Sequence, residues 1–326
     1  MKKILMLLAI SLFLYSCEDD EVPTLPDPNY QAEEFLKENK ESLKQEKTIN
    51  ISDLPLTIDF KEGVKITIPA NAFTKGGQPV TGEVTIEVYE MLKPSSMIFS
   101  GTNTNYQYGS YFESDGFIFI DAKQNGVSVD QNLSSLITVS IPTDKEDGTF
   151  TQLWMGNEEA GEGEDQFAWN EGNPEDFGQN TEERGVLSKD KRFEFLIGKL
   201  GWVNCDIFWD SVNGMTTIKV KLYGNFDKLA SYLGYEGDTF VFFRAKGVLV
   251  LVQIYTAEDG NTVKSYDNGM PLGVEGKLVA YSVKDGYFYY DEKEITITEN
   301  MSIDLDLKDI SKDDLEKKIK ALDTYK

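Results

Sequence analysis

Histidine is absent from this chain, cysteine occurs twice, and basic residues are outnumbered, with 32 Lys+Arg against 56 Asp+Glu in 326 residues. Without an imidazole, Ser-His-Asp and Cys-His nucleophile systems and His-ligated zinc or iron sites cannot be assembled. A formal charge of −24 repels polyanions over long range, so nucleic acid bound through its phosphates is a poor partner. Also missing are a Gly-x-Ser-x-Gly elbow, a Walker phosphate loop and a Gly-x-Gly-x-x-Gly turn, and Gly161-Glu162-Gly163 sits in an acidic stretch that repels phosphate. No fixed-period repeat is evident, which argues against a propeller or solenoid. What is present is a globular composition: 40% apolar and 12% aromatic residues can bury real cores. At about 150 residues per domain, the length implies roughly two domains.

The N-terminus carries an address. Lys2 and Lys3 precede the apolar run Ile4 to Tyr15, which is too short and wrongly flanked for a spanning helix and reads as a secretory signal over residues 1–16. It ends in Leu14-Tyr15-Ser16-Cys17, which resembles the bacterial lipobox. That resemblance implies a diacylglycerol and acyl (palmitate) modification on Cys17; the alternative is an ordinary cysteine of a cleaved signal. The run Glu18-Asp19-Asp20-Glu21 resembles the surface-export signal of Bacteroidota lipoproteins, the alternative being a solvated tether facing the periplasm. The implied location is the outer membrane, lipid-anchored and exposed at the cell surface. With Cys17 acylated, Cys205 has no partner for an intrachain disulfide, and a chain of this size manages without one. Residues 17–48 read as a lipidated tether, stiffened by Pro23, Pro26 and Pro28, followed by a helix within Gln31 to Lys47 whose apolar stripe (Phe35, Leu36, Leu43) is thin.

From about Ile49 the period changes to two. Leu56, Ile58 and Phe60, then Val64, Ile66 and Ile68, then Val84, Ile86 and Val88 alternate with polar residues, and Asn125-Gly126, Asn213-Gly214, Asn268-Gly269 and Asp285-Gly286 punctuate apolar runs. The fold class expected is mainly β, built of antiparallel β-sandwich domains with a short C-terminal helix. Residues 158–183 hold ten acids and no Lys or Arg, so 151–190 reads as an acidic excursion or linker, interrupted by a short strand at Phe167-Ala168-Trp169. It divides a domain over 49–150 from a second β-rich domain over 191–326. Val248 to Val252 is apolar on both faces and reads as a central, doubly covered strand. Ser311-Lys312-Asp313-Asp314 has capping-box spacing, and Leu315, Ile319 and Leu322 fall on one face of the helix that follows.

A family resemblance lies in Gly63 to Phe73 (Gly-Val-Lys-Ile-Thr-Ile-Pro-Ala-Asn-Ala-Phe), Val80 to Val88 with Glu90, and Gly116 to Ala122 with Gly126. These stretches resemble the zona-occludens-and-Unc-type β-domain of ankyrins and netrin receptors, in its Bacteroidota lipoprotein version. The resemblance covers residues 56–139 and implies a β-sandwich in which Pro69 ends a strand and Phe73 turns into the core. It implies an interaction module and carries over no catalytic residue. Gly201 to Asp206 looks like a recurring element of the same lipoprotein group.

For a binding site, Trp202, Asn204, Asp206 and Trp209 form the densest cluster of suitable types. One reading is a ligand-binding edge, with Trp offering an apolar face and Asn and Asp fixing orientation, as sugar sites require; the other is a core strand with turn caps. Tyr106 to Phe112 and Tyr287 to Tyr290 likewise read as sugar platforms or as cross-strand core pairs. Cys205 has neither His nor an adjacent cation to activate it. Asp304 and Asp306 alternate with Ile303, Leu305 and Leu307, which makes them a solvated face before a calcium site, and no metal or other cofactor is expected. The function read from the sequence is a lipid-anchored, non-catalytic binding, adhesion or scaffold component whose partner is an extracellular glycan or an envelope protein. The alternative is an envelope hydrolase, glycosidase-like, working through a carboxylate pair.

Overall fold

The computed structural model describes residues 26–106, 108–157, 168–179, 184–224 and 238–326. The signal over 1–16, Cys17, the acidic run 18–21, Phe167 and most of the acidic segment lie outside the described residues. Strands take 53% of the chain and helices 14%, so the protein is mainly β.

Period-two patterning produces the pairing it implies. Leu56–Asp59 pairs antiparallel with Lys65–Ile68, setting Ile58 opposite Ile66, and Glu83–Met91 pairs with Ser110–Gln124, setting Val88 opposite Ile120. Thirteen strands join into one sheet with Gln45–Asn50 at one end and Leu56–Asp59 at the other. This sheet closes over itself as a sandwich, because Val84, Ile86 and Ile120 from one end share a core with Ile66, Ile68 and Val139 from the other. Eight strands between Lys219 and Ile310 form a second sheet, with its own core of Val220, Val252, Leu278 and Leu305. Most pairs are antiparallel, but Lys219–Gly224 runs parallel to Ser302–Ile310.

The sheets divide later than the composition implied. Phe150–Asn157, Gly185–Lys189, Arg192–Lys199 and Gly201–Phe208 all belong to the larger sheet, so the crossing falls between Phe208 and Lys219 rather than within 151–190. The described residues on both sides of 158–167 belong to this one sheet: Ala168–Asn170 pairs with both Phe150–Asn157 and Asn105–Tyr106. Trp169 there is fully buried, and its indole N–H donates to the Asn103 carbonyl at 2.9 Å.

Among the described residues, three α-helices fill the space between the sheets: α1 (Ala32–Leu43), α2 (Pro94–Ser100) and α3 (Lys312–Ala321). The apolar stripe of α1 is thin, yet it is docked rather than loose, because Phe35 meets Phe99, Tyr281 and Phe288 edge-on at 6.0–6.1 Å. The Ser311 hydroxyl caps α3 by accepting the Asp314 N–H at 3.1 Å, and Leu315, Ile319 and Leu322 are buried. These side chains share one aromatic-rich core with Trp154, Trp169 and Trp202 of the larger sheet and Phe240 and Phe242 of the smaller.

The apolar run Val248 to Val252 is not central. Leu251–Gln253 is the edge strand of the smaller sheet. It is buried because the larger sheet covers that edge: the Thr104 N–H donates to Leu251 O at 3.0 Å, the Gln253 N–H to Asn105 Oδ1 at 3.0 Å, and Asn105 Nδ2 to Gln253 O at 2.9 Å. A run apolar on both faces therefore marks an edge sealed by another part of the chain.

Candidate functional sites at the two ends of one strand

The strand Gly201–Phe208 carries the candidate cluster, and its face decides what each residue does. Trp202, Asn204 and Asp206 point the same way, toward the core between the sheets rather than toward solvent, and all three are buried. A β-bulge shapes their surroundings: Asn204 pairs with Phe117 and Asp206 with Ser114, so the partner strand has one residue too many. Gly116 sits in the bulge at φ +101°, a backbone region that side chains disfavour. The bulge turns Ser114 inward, where its hydroxyl donates to Asn204 Oδ1 at 3.2 Å, while Asn204 Nδ2 donates to Asp206 Oδ2. Asp206 Oδ1 is buried with no hydrogen-bond partner among the described residues. Burial pushes the Asp206 carboxyl well above the usual range and raises that of neighbouring Asp115 to about 6. Burial likewise pushes the Cys205 thiol well up, which removes it as a nucleophile at neutral pH. The four residues read as one ligand-binding edge thus do not form one, because three of them satisfy each other or fill the core.

What the strand does instead is end in two clefts. At its C-terminal end, Phe208, Trp209 and Asp210 line a cleft of about 390 Å³ with Ser110 from the larger sheet's side and Met215 and Asn268 from the smaller's. This junction cleft is firmly built. Tyr111 stacks on Tyr266 with centroids 5.0 Å apart, and its hydroxyl accepts the Tyr266 N–H at 2.7 Å. A Cβ on Gly269 would lie 2.8 Å from the Tyr111 ring, so the contact requires glycine. Beside the cleft, Tyr108 and Phe208 both pack on Tyr106, at 5.4 and 5.2 Å. They remain 76% and 44% exposed, which makes an aromatic ledge open to solvent.

At the strand's N-terminal end lies a cleft of about 530 Å³ with Trp202, Leu200 and Met155 in its lining and Gln131, Asn170, Asp176 and Lys199 among its polar groups. Lys40 of α1 stands over the Trp202 ring at 5.7 Å. The two clefts are about 23 Å apart along the extended strand.

No family model, curated protein or solved structure matches this chain.

Of the residues singled out from sequence, Trp209 lines the junction cleft and Trp202 the polar one, whereas Asn204 and Asp206 reach neither. The stretch Tyr106 to Phe112 held a usable signal, since it contains Tyr108, the most exposed aromatic ring of the described residues. Asn170, Asp176 and Lys199 had no signal of their own, being isolated polar residues in an acid-rich chain. Asp304 and Asp306 are exposed between buried Ile303, Leu305 and Leu307, as alternation implies. Among the described residues no group of three or more His, Cys, Asp or Glu side chains is placed to hold a metal, and no helix is long and apolar enough to cross a membrane.

Proposed function

We propose that this chain is an outer-membrane protein anchored by lipid on Cys17, facing the cell exterior, that captures a saccharide at the junction cleft without chemically altering it. The observation that carries this reading is the ledge of Tyr108 and Phe208, two aromatic rings left in solvent beside a cleft. Aromatic rings exposed on a rigid support offer the flat apolar surface on which the C–H face of a sugar ring rests, while Ser110, Asp210 and Asn268 in the cleft supply hydroxyl, carboxylate and carboxamide for its hydroxyls. The formal charge of −24 favours a neutral glycan over an anionic one. The interaction-module character implied by the resemblance over residues 56–139, and the sealed position of Cys205 and Asp206, support binding over turnover.

The test uses the full chain in detergent micelles on a glycan array, followed by a broad hydrolase-substrate screen. The expected outcome is retention of a neutral glycan class, with affinity about tenfold weaker in Tyr108→Ala, a loss of about 1.4 kcal/mol. Tyr108 is mostly exposed, so its removal leaves folding intact. Absence of any retained glycan overturns the reading, and turnover abolished by Glu171→Gln or Asp176→Asn replaces it with the hydrolase. For the anchor, Cys17→Ser abolishes partition into the detergent phase, and palmitate incorporation persisting in that variant overturns lipidation at this residue.

A further inference from the structure

We propose that the polar cleft at the opposite end of strand Gly201–Phe208 is a second saccharide subsite, which makes the chain bivalent. For its ligand class this inference rests on the junction-cleft reading; its location and chemistry stand on separate observations. Among the described residues, no protein partner engages the Gln131 carboxamide, Asn170 Nδ2, Asp176 Oδ1 or the Lys199 ammonium, although all four residues line one concave surface. They present donors (the amides and the ammonium) and acceptors (the carboxylate and the Gln131 carbonyl) side by side. Hydroxyl groups both donate and accept, so a polyhydroxylated ligand matches such a set where a purely anionic or purely cationic one does not.

Formal charge balances among the described residues that line the cleft together with the ion-pair partner of Glu171. Glu171 is paired with the buried Arg184 at 2.9 Å, and Asp176 is offset by Lys199. A neutral ligand therefore enters without leaving an uncompensated charge, whereas a phosphate or an amine would create one. Met155, Leu200 and Trp202 line the cleft but are themselves buried, so its accessible surface is set by the polar groups.

Two of the four polar groups, those of Asn170 and Asp176, are held before any ligand arrives. Asn170 Oδ1 accepts the Gly172 N–H at 2.9 Å and Asp176 Oδ2 accepts the Asn173 N–H at 3.0 Å. Gly172 has φ +61°, and a Cβ there would lie 2.6 Å from Met155 Cγ, so this wall approaches the strand as closely as only glycine permits. Fixing the recognition groups in advance lowers the ordering cost of binding. Two such sites on one rigid strand would hold a polymeric glycan with an avidity above that of either site alone.

The experiment is isothermal titration of the full chain in detergent with maltotriose, cellotriose and mannotriose, which are neutral and too short to bridge the clefts. The expected result is two sites per chain for at least one of them. Gln131→Ala with Lys199→Ala leaves one site with unchanged affinity, and Tyr108→Ala weakens only the other. Among the described residues neither Gln131 nor Lys199 makes a side-chain hydrogen bond, so a loss reports the cleft. Wild-type stoichiometry in the Gln131→Ala, Lys199→Ala double variant overturns the second subsite, as does an absence of heat with all three sugars. If Tyr108→Ala changes nothing while the double variant removes the only binding, the polar cleft stands and the junction reading falls.

Discussion

A carboxyl sealed from water releases its proton reluctantly, and Asp206 turns that into a dependence of stability on pH. Its folded-state affinity for the proton is raised by burial, whereas in the unfolded chain it titrates near about 3.9. The folded state therefore binds more protons than the unfolded state above that value, and stability falls as pH rises toward the folded value, by up to about 1.4 kcal/mol per pH unit. Asp115, raised to about 6, adds a slope of the same sign that ends near that pH. Asp206→Asn keeps the acceptor for Asn204 and carries no charge. We expect the difference in urea-unfolding free energy between the variant and wild type to grow in the variant's favour from pH 5 to 8, and a difference that stays flat would show that Asp206 is not buried as a neutral acid. At the same scale, Phe73 is 3% exposed beyond the strand that ends at Ile68, just before Pro69. Phe73→Ala should cost about 3–5 kcal/mol and Phe73→Leu clearly less, read as denaturant midpoints by far-ultraviolet circular dichroism; a loss no larger than that of Pro69→Ala would put Phe73 outside the core.

At the scale of elements, the strand from Glu83 to Met91 shows how a motif residue works as a clasp. Glu90 is buried, and its carboxylate accepts the N–H groups of Val64 at 2.8 Å and Glu62 at 2.7 Å and the Gln45 side chain at 2.7 Å. It thereby ties the Gly63 turn to the strand Glu83–Met91. Glu90→Ala orphans two backbone donors, each worth about 1–3 kcal/mol where it is shut off from water. The hydrogens of Glu62 and Val64 should then exchange markedly faster while those of the smaller sheet keep their protection, and unchanged exchange at both would mean that water already satisfies them. In the sequence Glu90 stands out only within the family resemblance, with no role attached to it. Only its burial beside a turn reveals the clasp.

For the whole molecule, the seam between the sheets is polar backbone at its edge and aromatic core at its centre. Residues 103–105 complete the hydrogen bonding of edge strand Leu251–Gln253, and α1 and α3 sit in the core that both sheets share. Two sheets joined in this way should unfold together. Calorimetry of the full chain is expected to show one transition whose van't Hoff and calorimetric enthalpies agree. Asn105→Ala removes the two hydrogen bonds that its side chain makes to the Gln253 N–H and carbonyl and should lower that transition as a whole; two separated transitions in the wild type would mean that the sheets are independent.

Alternation along single segments was enough to read the β class, the inward set of Ile66, Ile68, Val84 and Ile86, the capped helix after Ser311 and the solvated face of Asp304 and Asp306, because each depends on neighbours a few residues away. Where the sheets divide, which edge is covered and which aromatics stay in solvent depend on partners far along the chain, such as Asn105 with Gln253 or Tyr111 with Tyr266. Trp202 and Tyr108 are both aromatic residues in β-rich segments, and no local pattern separates them. The first is covered by the chain's own core and the second is not, and only tertiary packing decides which ring is left to meet a ligand.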